Sequence, residues 1–229
     1  MKKQLKKSIL KPKHFDILSE EQKQIFSKLN FTKEYGFYLA GGTALAFYLN
    51  HRTPQDFDFY SQKTFEKLKL SKLFEKYYKN FEIEIIRDTS NSFEVRVKNT
   101  HLSFFHYPYE LIRKLNSFRE VYIASLEDIT AMKIIFIVQR GNFRDFIDIY
   151  FLIKNFGLES IIEWTKEKYY FYSVILILKG LTCFKDAEKT IKENKSRIKV
   201  FDDTKWKGVK NFILKEVRKF IANFPEWKE

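Results

Sequence analysis

The sequence feature that most constrains the fold is a Gly-Gly pair between two segments of different periodicity. Residues 37–40 read as a short apolar strand, and the residues after Gly41 and Gly42 have the spacing of a helix that runs to Asn50. The chain has 7 glycines among 229 residues, so two adjacent glycines mark a sharp change in backbone direction. Thr43 is expected to cap the helix. This order of strand, tight turn and helix predicts an α/β unit.

The Gly-Gly turn also has the properties of a phosphate-binding loop. Gly41 and Gly42 have no side chains, so their backbone can approach a ligand closely. The helix that follows directs free N–H groups and the positive end of its dipole toward the same place, and Thr43 adds a hydroxyl. Steric need alone puts glycines in many such turns, and the GxGxxG and P-loop motifs are absent.

A pair of acidic residues, Asp56 and Asp58, follows one helix later. They lie two apart on a predicted strand, residues 56–60, so both carboxylates face one side while Phe57 and Phe59 face the core. Two close carboxylates repel each other unless a cation joins them. Hard oxygen ligands suit Mg²⁺, or Mn²⁺ in its place, bound together with substrate phosphates. A solvated strand face is the structural alternative, but the position after the glycine turn favours a metal site.

Further chemistry-bearing residues lie in the second half of the chain. Lys133 is on a predicted helix that Gly141 ends, and Asp145 and Asp148 are neighbours on one face of the next helix. The structural alternative is an exposed Arg144–Asp148 pair, which would contribute about 0.3–0.5 kcal/mol.

The periodicity predicts an α+β protein in which a mixed sheet precedes a helical bundle. Strands dominate up to about residue 108, and amphipathic helices follow, so we predict domains at 1–109 and 110–229. Beyond the glycine turn and the acidic strand, we predict strands at 81–87, 93–98 and 102–107, and helices at 19–30, 64–79, 110–116, 126–139, 143–155, 158–170, 171–180, 184–194 and 205–223.

The composition favours an anionic partner and a reducing compartment. A net charge of +13 and a pI near 9.5 favour nucleic acid, nucleotides or an anionic membrane face, although a lysine-rich solvated surface explains the charge equally well. There is one cysteine, Cys183, so no internal disulfide can form. The most apolar run, residues 174–178, is too short to span a membrane, and no apolar run follows the basic N-terminus. We therefore expect a cytoplasmic protein without a membrane partner.

Taken together and in order, three motifs resemble a known family. GGTALA, HR-x3-DFDFY and AMK-x6-R-x3-RDFIDIYFL, within residues 36–60 and 125–155, resemble the AbiEii-type abortive-infection nucleotidyltransferases. These form the toxin-like branch of the polymerase-beta-like nucleotidyltransferase superfamily. The resemblance implies a nucleotidyltransferase-like first domain that transfers a nucleotide from an NTP and releases pyrophosphate, and an antitoxin as a possible protein partner.

The resemblance also implies roles for residues at the matching positions. Asp56 and Asp58 would bind the metal ion, and Asp145 would be the remaining active-site acid, with Asp148 as a structural helper. The residues implied to contact the nucleotide, chiefly its triphosphate, are Gly41, Gly42, Thr43, Arg52 and Lys133. We thus interpret residues 41–58 as the metal and NTP site.

One departure from the superfamily pattern leaves two functions open. Many of these enzymes have a third metal-site carboxylate on a later strand, and the strand that aligns with it, residues 102–105, has Ser103 instead. The first hypothesis is an active transferase that modifies RNA, such as a tRNA end, or a protein hydroxyl, with RNA favoured by the charge. The second is a protein of the same fold that binds nucleotide or nucleic acid with little catalysis. A basic helical protein with coincidental motifs is the third. The four histidines lack metal-ligand spacing and are expected to be structural or surface residues.

Overall fold

The structure, a computed structural model, describes residues 10–89, 91–193 and 198–224 and confirms a mixed sheet followed by C-terminal helices. The strands are β1 (Tyr38–Ala40), β2 (Phe57–Ser61), β3 (Ile83–Thr89), β4 (Ser92–Val97), β5 (Thr100–His106), β6 (Asn116–Phe118) and β7 (Val121–Ile123). The helices are α1 (Glu20–Phe26), α2 (Phe31–Glu34), α3 (Gly41–Leu49), α4 (Lys67–Tyr77), α5 (Leu126–Arg140), α6 (Phe143–Phe156), α7 (Leu158–Lys168), α8 (Val174–Thr182), α9 (Lys185–Lys192) and α10 (Trp206–Asn223).

The described strands form one sheet in the order β3-β4-β5-β2-β1-β7-β6. Strand β2 is central and pairs antiparallel with β1 and parallel with β5, and β1 pairs parallel with β7. The glycine turn at the end of β1 therefore lies beside the acidic strand. This adjacency brings two motifs that are separated in sequence to one edge of the sheet.

Phenylalanine side chains fill the core on one face of the sheet. Phe57 and Phe59 are 1% and 0% exposed, as the alternation of β2 predicts. Phe59 stacks on Phe104 of β5 at 5.1 Å between ring centroids, and Phe104 also packs against Phe37 and Phe74 at 5.0 and 5.6 Å. Such offset and edge-to-face ring pairs add to the free energy of area burial. The core thus fixes β2 so that its acidic residues face the opposite side.

Several predicted element boundaries differ from the structure. The Ser19–Gln22 capping box is present, but α1 ends at Phe26 instead of residue 30. Helix α8 begins at Val174 instead of 171 because the Ser173 side chain caps it. The last residue of the predicted helix 184–194 lies outside the described residues, as do residues 1–9, which include most of the basic N-terminus.

The predicted helix at 110–116 is wrong, and the hairpin that follows it was not foreseen. Residues 110–115 are irregular because the Asp128 carboxylate accepts the backbone N–H groups of Ile112 and Arg113 at 3.0 and 3.2 Å. Strands β6 and β7 come next and extend the sheet beyond β1, so the sheet draws on residues up to 123. The division of the chain at 109/110 stays a prediction.

Helices α5 and α6 connect the sheet with the other C-terminal helices. Both pack against α3, the helix that begins at the glycine turn, and α5 also packs against α7 and α8. Within the described residues, no helix is long and apolar enough to cross a membrane. The ends of α5 and α6 therefore meet the acidic strand and the glycine turn at one place.

Candidate active site

A cavity of about 450 Å³ lies where the glycine turn, β2 and the adjoining ends of α5 and α6 meet. Every residue that the sequence assigns to metal, nucleotide or catalysis lines it: Gly41, Gly42, Thr43, Arg52, Asp56, Asp58, Lys133 and Asp145. Asp148 lies beneath the cavity, with no exposed surface. The fold therefore brings all of these residues together, while their individual roles stay predictions.

The glycine turn is shaped by side chains that press against it. Gly41 has a φ of +68°, and a Cβ there would lie 2.5 Å from Asp58 Oδ2. A Cβ on Gly42 would lie 2.0 Å from Arg52 Nη2. Both distances are far below van der Waals contact, so the two glycines are required by the protein's own packing. The glycine pair thus has a structural cause in addition to the proposed approach of a phosphate.

The prediction that Thr43 caps α3 is wrong because the helix begins two residues earlier, at Gly41. Ala40 occupies the N-cap position and provides no side-chain cap. The Thr43 hydroxyl instead donates a hydrogen bond of 2.5 Å to the backbone carbonyl of Asp56. Thr43 therefore ties the start of the helix to the acidic strand. The first N–H groups of α3 have no side-chain partner at Ala40 and lie at the cavity.

The acidic pair lies on the cavity side of β2. Burial and the neighbouring Asp56 carboxylate raise the pKa of Asp58 to about 6. The Asp56 side chain is 37% exposed, and its Oδ2 lies 3.5 Å from Arg144 Nη1. Asp58 therefore carries a destabilised negative charge that a cation in the cavity would stabilise.

Asp148 is the centre of a buried ion-pair cluster beneath the cavity. Its Oδ1 accepts hydrogen bonds from His51 Nε2 at 2.7 Å and from Arg52 Nε at 2.6 Å. Its Oδ2 accepts a hydrogen bond from Arg52 Nη2 at 3.0 Å and forms an ion pair with Lys133 Nζ at 2.7 Å. Arg52 and Lys133 hold the pKa of Asp148 well below its ordinary value in spite of burial. Asp148 therefore fixes the positions of two cations, and the alternative of an exposed Arg144–Asp148 pair is wrong.

Lys133 joins this cluster to the cavity. Its ammonium also donates to Asp145 Oδ1 at 2.9 Å. Asp145 Oδ2 is buried and has no hydrogen-bond partner among the described residues. A buried carboxylate oxygen at a cavity wall is costly unless something binds it, so this atom is available to a ligand.

Arg52 and His51 have structural contacts that sequence reasoning did not find. Two Arg52 nitrogens hold the Asp148 carboxylate in a bidentate pair, and Nη1 donates to the Thr53 carbonyl at 3.2 Å. Burial lowers the pKa of His51, so its ring is neutral and donates from Nε2 to Asp148. His51 is a structural histidine, as expected. The role of Arg52 as a phosphate contact stays a prediction.

The cavity also contains cationic and aromatic residues to which the sequence analysis gave no role. Arg140 ends α5 and lies over the Phe136 ring, 5.7 Å from its centroid, and both residues line the cavity. Arg144 donates to Gln55 Oε1 at 2.6 Å and holds Asp56 in place. Alternation along β2 could have identified Tyr60 as a neighbour of Asp58 on the same face. Arg140 and Arg144 are the two arginines of the AMK-x6-R-x3-RDFIDIYFL motif, but they were given no role at the site, because nothing in the sequence shows which face of α5 meets β2.

The residues present fit a divalent cation bound together with a nucleotide. Asp56 and Asp58 are two oxygen donors in mutual repulsion, and Asp145 Oδ2 is a third oxygen at the same cavity, without a partner in the described part of the chain. The described residues contain no group of three or more His, Cys, Asp or Glu side chains arranged as a complete metal site. Phosphate oxygens would therefore have to complete the coordination, as is usual for Mg²⁺.

Comparison with known proteins identifies the family. A profile described as "Nucleotidyl transferase AbiEii toxin, Type IV TA system" matches residues 27–220, which cover the cavity and both halves of the fold. The chain belongs to the AbiEii nucleotidyltransferase toxin family. It is accordingly a nucleotidyltransferase, as the motif resemblance implied. An uncharacterized Aquifex aeolicus (strain VF5) protein, aq_aa25, is 31% identical over 195 residues, 82% of this chain and 89% of that protein.

Solved structures show the same fold at low sequence identity. A Helicobacter pylori structure described as a nucleotidyltransferase has a TM-score of 0.60 at 16% identity, with 93% of this chain and 100% of that chain covered. The MenT4 nucleotidyltransferase toxin Rv2826c of Mycobacterium tuberculosis H37Rv has a TM-score of 0.55 at 13% identity, with 90% and 85% covered. At these identities the likeness establishes the nucleotidyltransferase-like fold.

This AbiEii family member departs from the wider superfamily pattern at β5, as the sequence indicated. In the register of β2 and β5, Asp58 lies opposite Ser103, which is buried at 3% exposure. Ser103 therefore occupies the strand position at which a third carboxylate would face Asp58. On the neighbouring strand β4, Glu94 lies opposite Ser103. The Glu94 carboxylate pairs with His101 and Arg87. A third carboxylate for the metal site must therefore come from an element other than β5.

Proposed function

We propose that this protein transfers a nucleotide from an NTP to an RNA acceptor, with Mg²⁺ or Mn²⁺ bound at Asp56 and Asp58. The observation that supports this most is the convergence of the two carboxylates, the uncapped start of α3 and Lys133 on one cavity. The carboxylates supply metal ligands, while the helix start and Lys133 supply positive charge for a triphosphate. A site with both features is suited to binding a metal–NTP complex.

The protein's residues would position the reactants and stabilise the developing charge. The backbone at Gly41 and Gly42 would hold the phosphates, and Lys133 would stabilise negative charge on the leaving pyrophosphate. A divalent cation at this site would polarise the phosphoryl oxygens. The acceptor hydroxyl forms a bond to the α-phosphorus while the bond from that phosphorus to the β-phosphate bridging oxygen breaks.

We propose that Asp145 accepts the proton that the attacking acceptor hydroxyl loses. Its Oδ2 is buried at the cavity without a partner among the described residues, and its Oδ1 accepts a hydrogen bond from Lys133. A carboxylate with one free oxygen can accept a hydrogen bond from the attacking hydroxyl. Asp145 would thus replace the carboxylate that is absent at Ser103.

An RNA acceptor agrees with the charge of the protein better than a protein acceptor does. The net charge is +13, and Arg140 and Arg144 lie at the cavity where an acceptor would enter. Phosphate contacts dominate the affinity of nucleic-acid binding. A protein hydroxyl is the other acceptor class, and the experiment below separates the two. We further propose that the protein acts in the cytoplasm, where NTPs and RNA are present, and that an antitoxin protein opposes it, as the family description suggests.

The experiment uses labelled nucleotides. The protein would be incubated with each α-³²P-labelled NTP, Mg²⁺ and total RNA or protein extract, beside the Asp56→Asn, Asp58→Asn double variant. We expect label on RNA with the wild type and none with the variant. Label on protein would refute the RNA acceptor, and absence of NTP binding would refute the function. A toxin role predicts growth arrest on expression that the same two substitutions relieve.

A second candidate function rests on the buried Ser103 beside Asp58. A fold that lacks a strand carboxylate at this position could bind NTP and nucleic acid with little turnover. Mg²⁺-dependent NTP binding by the wild type without transfer to any acceptor would favour this candidate. Restored transfer in a Ser103→Asp variant would support it further.

A further inference from the structure

A group of aromatic side chains is exposed on the surface beside the cavity. The loop between α7 and α8 carries Tyr170, Phe171 and Tyr172 in succession, and Tyr109 lies against the same loop. Tyr170 is 80% exposed, Phe171 57% and Tyr109 39%, while Tyr172 is half-buried. We call these four residues the aromatic platform. Large aromatic rings at such exposure lose the burial that normally favours them, so a partner for the platform is expected.

The platform is held in a fixed shape. Lys166 donates from Nζ to the carbonyls of Tyr170 and Tyr172 at 2.7 and 2.9 Å. The Phe171 ring packs against Tyr170 and Tyr172 at 5.5 and 5.1 Å between centroids. Because the loop and its rings are already ordered, a ligand that stacks on them loses less free energy to ordering than it would on a flexible loop.

The platform is continuous with the cavity through Tyr107, which lines the cavity wall. The Tyr107 ring lies 4.7 Å from that of Tyr109, and its hydroxyl is hydrogen-bonded to the buried Tyr169. Tyr169 in turn packs against Phe171 and Tyr172 at 6.3 and 6.2 Å. An unbroken set of rings therefore leads from the cavity to the exposed loop.

We propose that the aromatic platform stacks the unpaired bases of a single-stranded RNA whose end enters the cavity. The proposal rests on the proposed function, because it places the acceptor of that reaction. Every base has a π-face, so stacking on successive rings binds single strands with little sequence preference, whereas paired bases are not accessible in this way. The net charge of +13 and the exposed Arg140 at the cavity supply the attraction for phosphates.

The test measures RNA binding without NTP, so it does not depend on catalysis. Fluorescence anisotropy would give the Kd of a fluorescein-labelled, unstructured 12-nucleotide RNA and of the same sequence in a duplex. The variants are Tyr170→Ala with Phe171→Ala, and the conservative pair Tyr170→Phe with Phe171→Tyr. Tyr122→Ala is the matched control, since Tyr122 is also an exposed ring at 37% but lies on β7, toward the opposite edge of the sheet.

We expect the double alanine variant to bind the single strand roughly tenfold more weakly, within the range for loss of base–aromatic stacking. The conservative pair and the Tyr122→Ala control should stay within about twofold of the wild type. A base analogue such as 2-aminopurine near the RNA end should lose fluorescence on binding to the wild type and regain it in the alanine variant. Duplex RNA should bind equally to all variants.

The proposal would be overturned if wild type and alanine variant bound the single strand with equal Kd. It would also be overturned if the alanine variant lost affinity for the single strand and for the duplex by the same factor. A wild type that dimerises through this surface, and becomes monomeric on the Tyr170→Ala, Phe171→Ala change, would also overturn it. Mg²⁺-dependent NTP binding, measured separately, tests the proposed function. If the wild type binds NTP and labels RNA while platform variants do so with unchanged KM for RNA, the proposed function stands and the platform proposal fails.

Discussion

The buried cluster beneath the cavity predicts a large loss of stability for Asp148→Asn. The cluster contains two cations, Arg52 and Lys133, and two carboxylates, Asp145 and Asp148, all with side chains 8% exposed or less. His51 is neutral, so the formal charges balance. Asparagine has the same shape but no charge, so the substitution leaves one positive charge buried without compensation.

The magnitude follows from the cost of such a charge. Removing one partner of a buried ion pair costs about 3–5 kcal/mol. For a chain of this size that corresponds to a fall in Tm of roughly 6–20 °C. We would measure it by urea unfolding followed by tryptophan fluorescence, with Tm from calorimetry. The matched control is Glu84→Gln, which breaks the exposed pair with Arg96 and should cost less than about 1 kcal/mol.

A double variant tests whether charge balance is the cause. Lys133→Met removes a cation, so in combination with Asp148→Asn the buried charges balance again. The double variant should be more stable than the sum of the two single effects predicts, by about 0.5–3 kcal/mol. A cost below about 1 kcal/mol for Asp148→Asn, or additive effects in the double variant, would refute the reasoning.

The remaining predictions concern the glycine turn and pH. Gly42→Ala should destabilise the fold by about 1–3 kcal/mol because its Cβ would lie 2.0 Å from Arg52 Nη2, whereas Gly208→Ala, with open space around it on α10, should be neutral or stabilising in the same thermal unfolding assay. Burial lowers the pKa of His51 in the folded state, so the stability it confers is present above its unfolded pKa of about 6.5 and is lost as the pH falls. The raised pKa of Asp58 has the opposite effect, because it makes the fold more stable as the pH falls. The measurement is therefore the free energy of unfolding of the wild type minus that of His51→Gln, in which the contribution of Asp58 cancels. This difference should decrease from pH 7 to pH 5. A difference that stays constant with pH would contradict a neutral buried His51.

The local motifs identified residues that line one cavity because these motifs are made of short-range features. The glycine pair and the alternation of residues 56–60 fix a turn and a strand face without reference to the rest of the chain. The family resemblance pointed to Ser103 as the position without a third carboxylate, but only the structure gives the register that places it opposite Asp58. These local predictions agree with the structure because the apolar residues that alternate along the strand pack in the core on the other face of the sheet.

The parts that could not be predicted depend on contacts between distant residues. The run at 110–116 has helical spacing, but Asp128 binds its backbone N–H groups and holds it irregular. The β6–β7 turn places Arg119 and Glu120 at positive φ, residues that give no turn signal in sequence. The family resemblance implied that Asp148 is a structural helper. It did not predict the pairing of Asp148 with Arg52, because the two residues are 96 positions apart in the sequence. Tertiary partners, not local preference, decided each of these cases.

The central claim is that Asp56 and Asp58 bind a metal–NTP complex and support transfer of a nucleotide. Its most direct test is transfer of label from an α-³²P NTP to RNA with Mg²⁺, compared between wild type and the Asp56→Asn, Asp58→Asn variant, after thermal unfolding confirms that the variant is folded. We expect labelled RNA and released pyrophosphate with the wild type, and neither with the variant. Equal labelling by a folded variant, or a wild type that binds no NTP in the presence of Mg²⁺ or Mn²⁺, would contradict it.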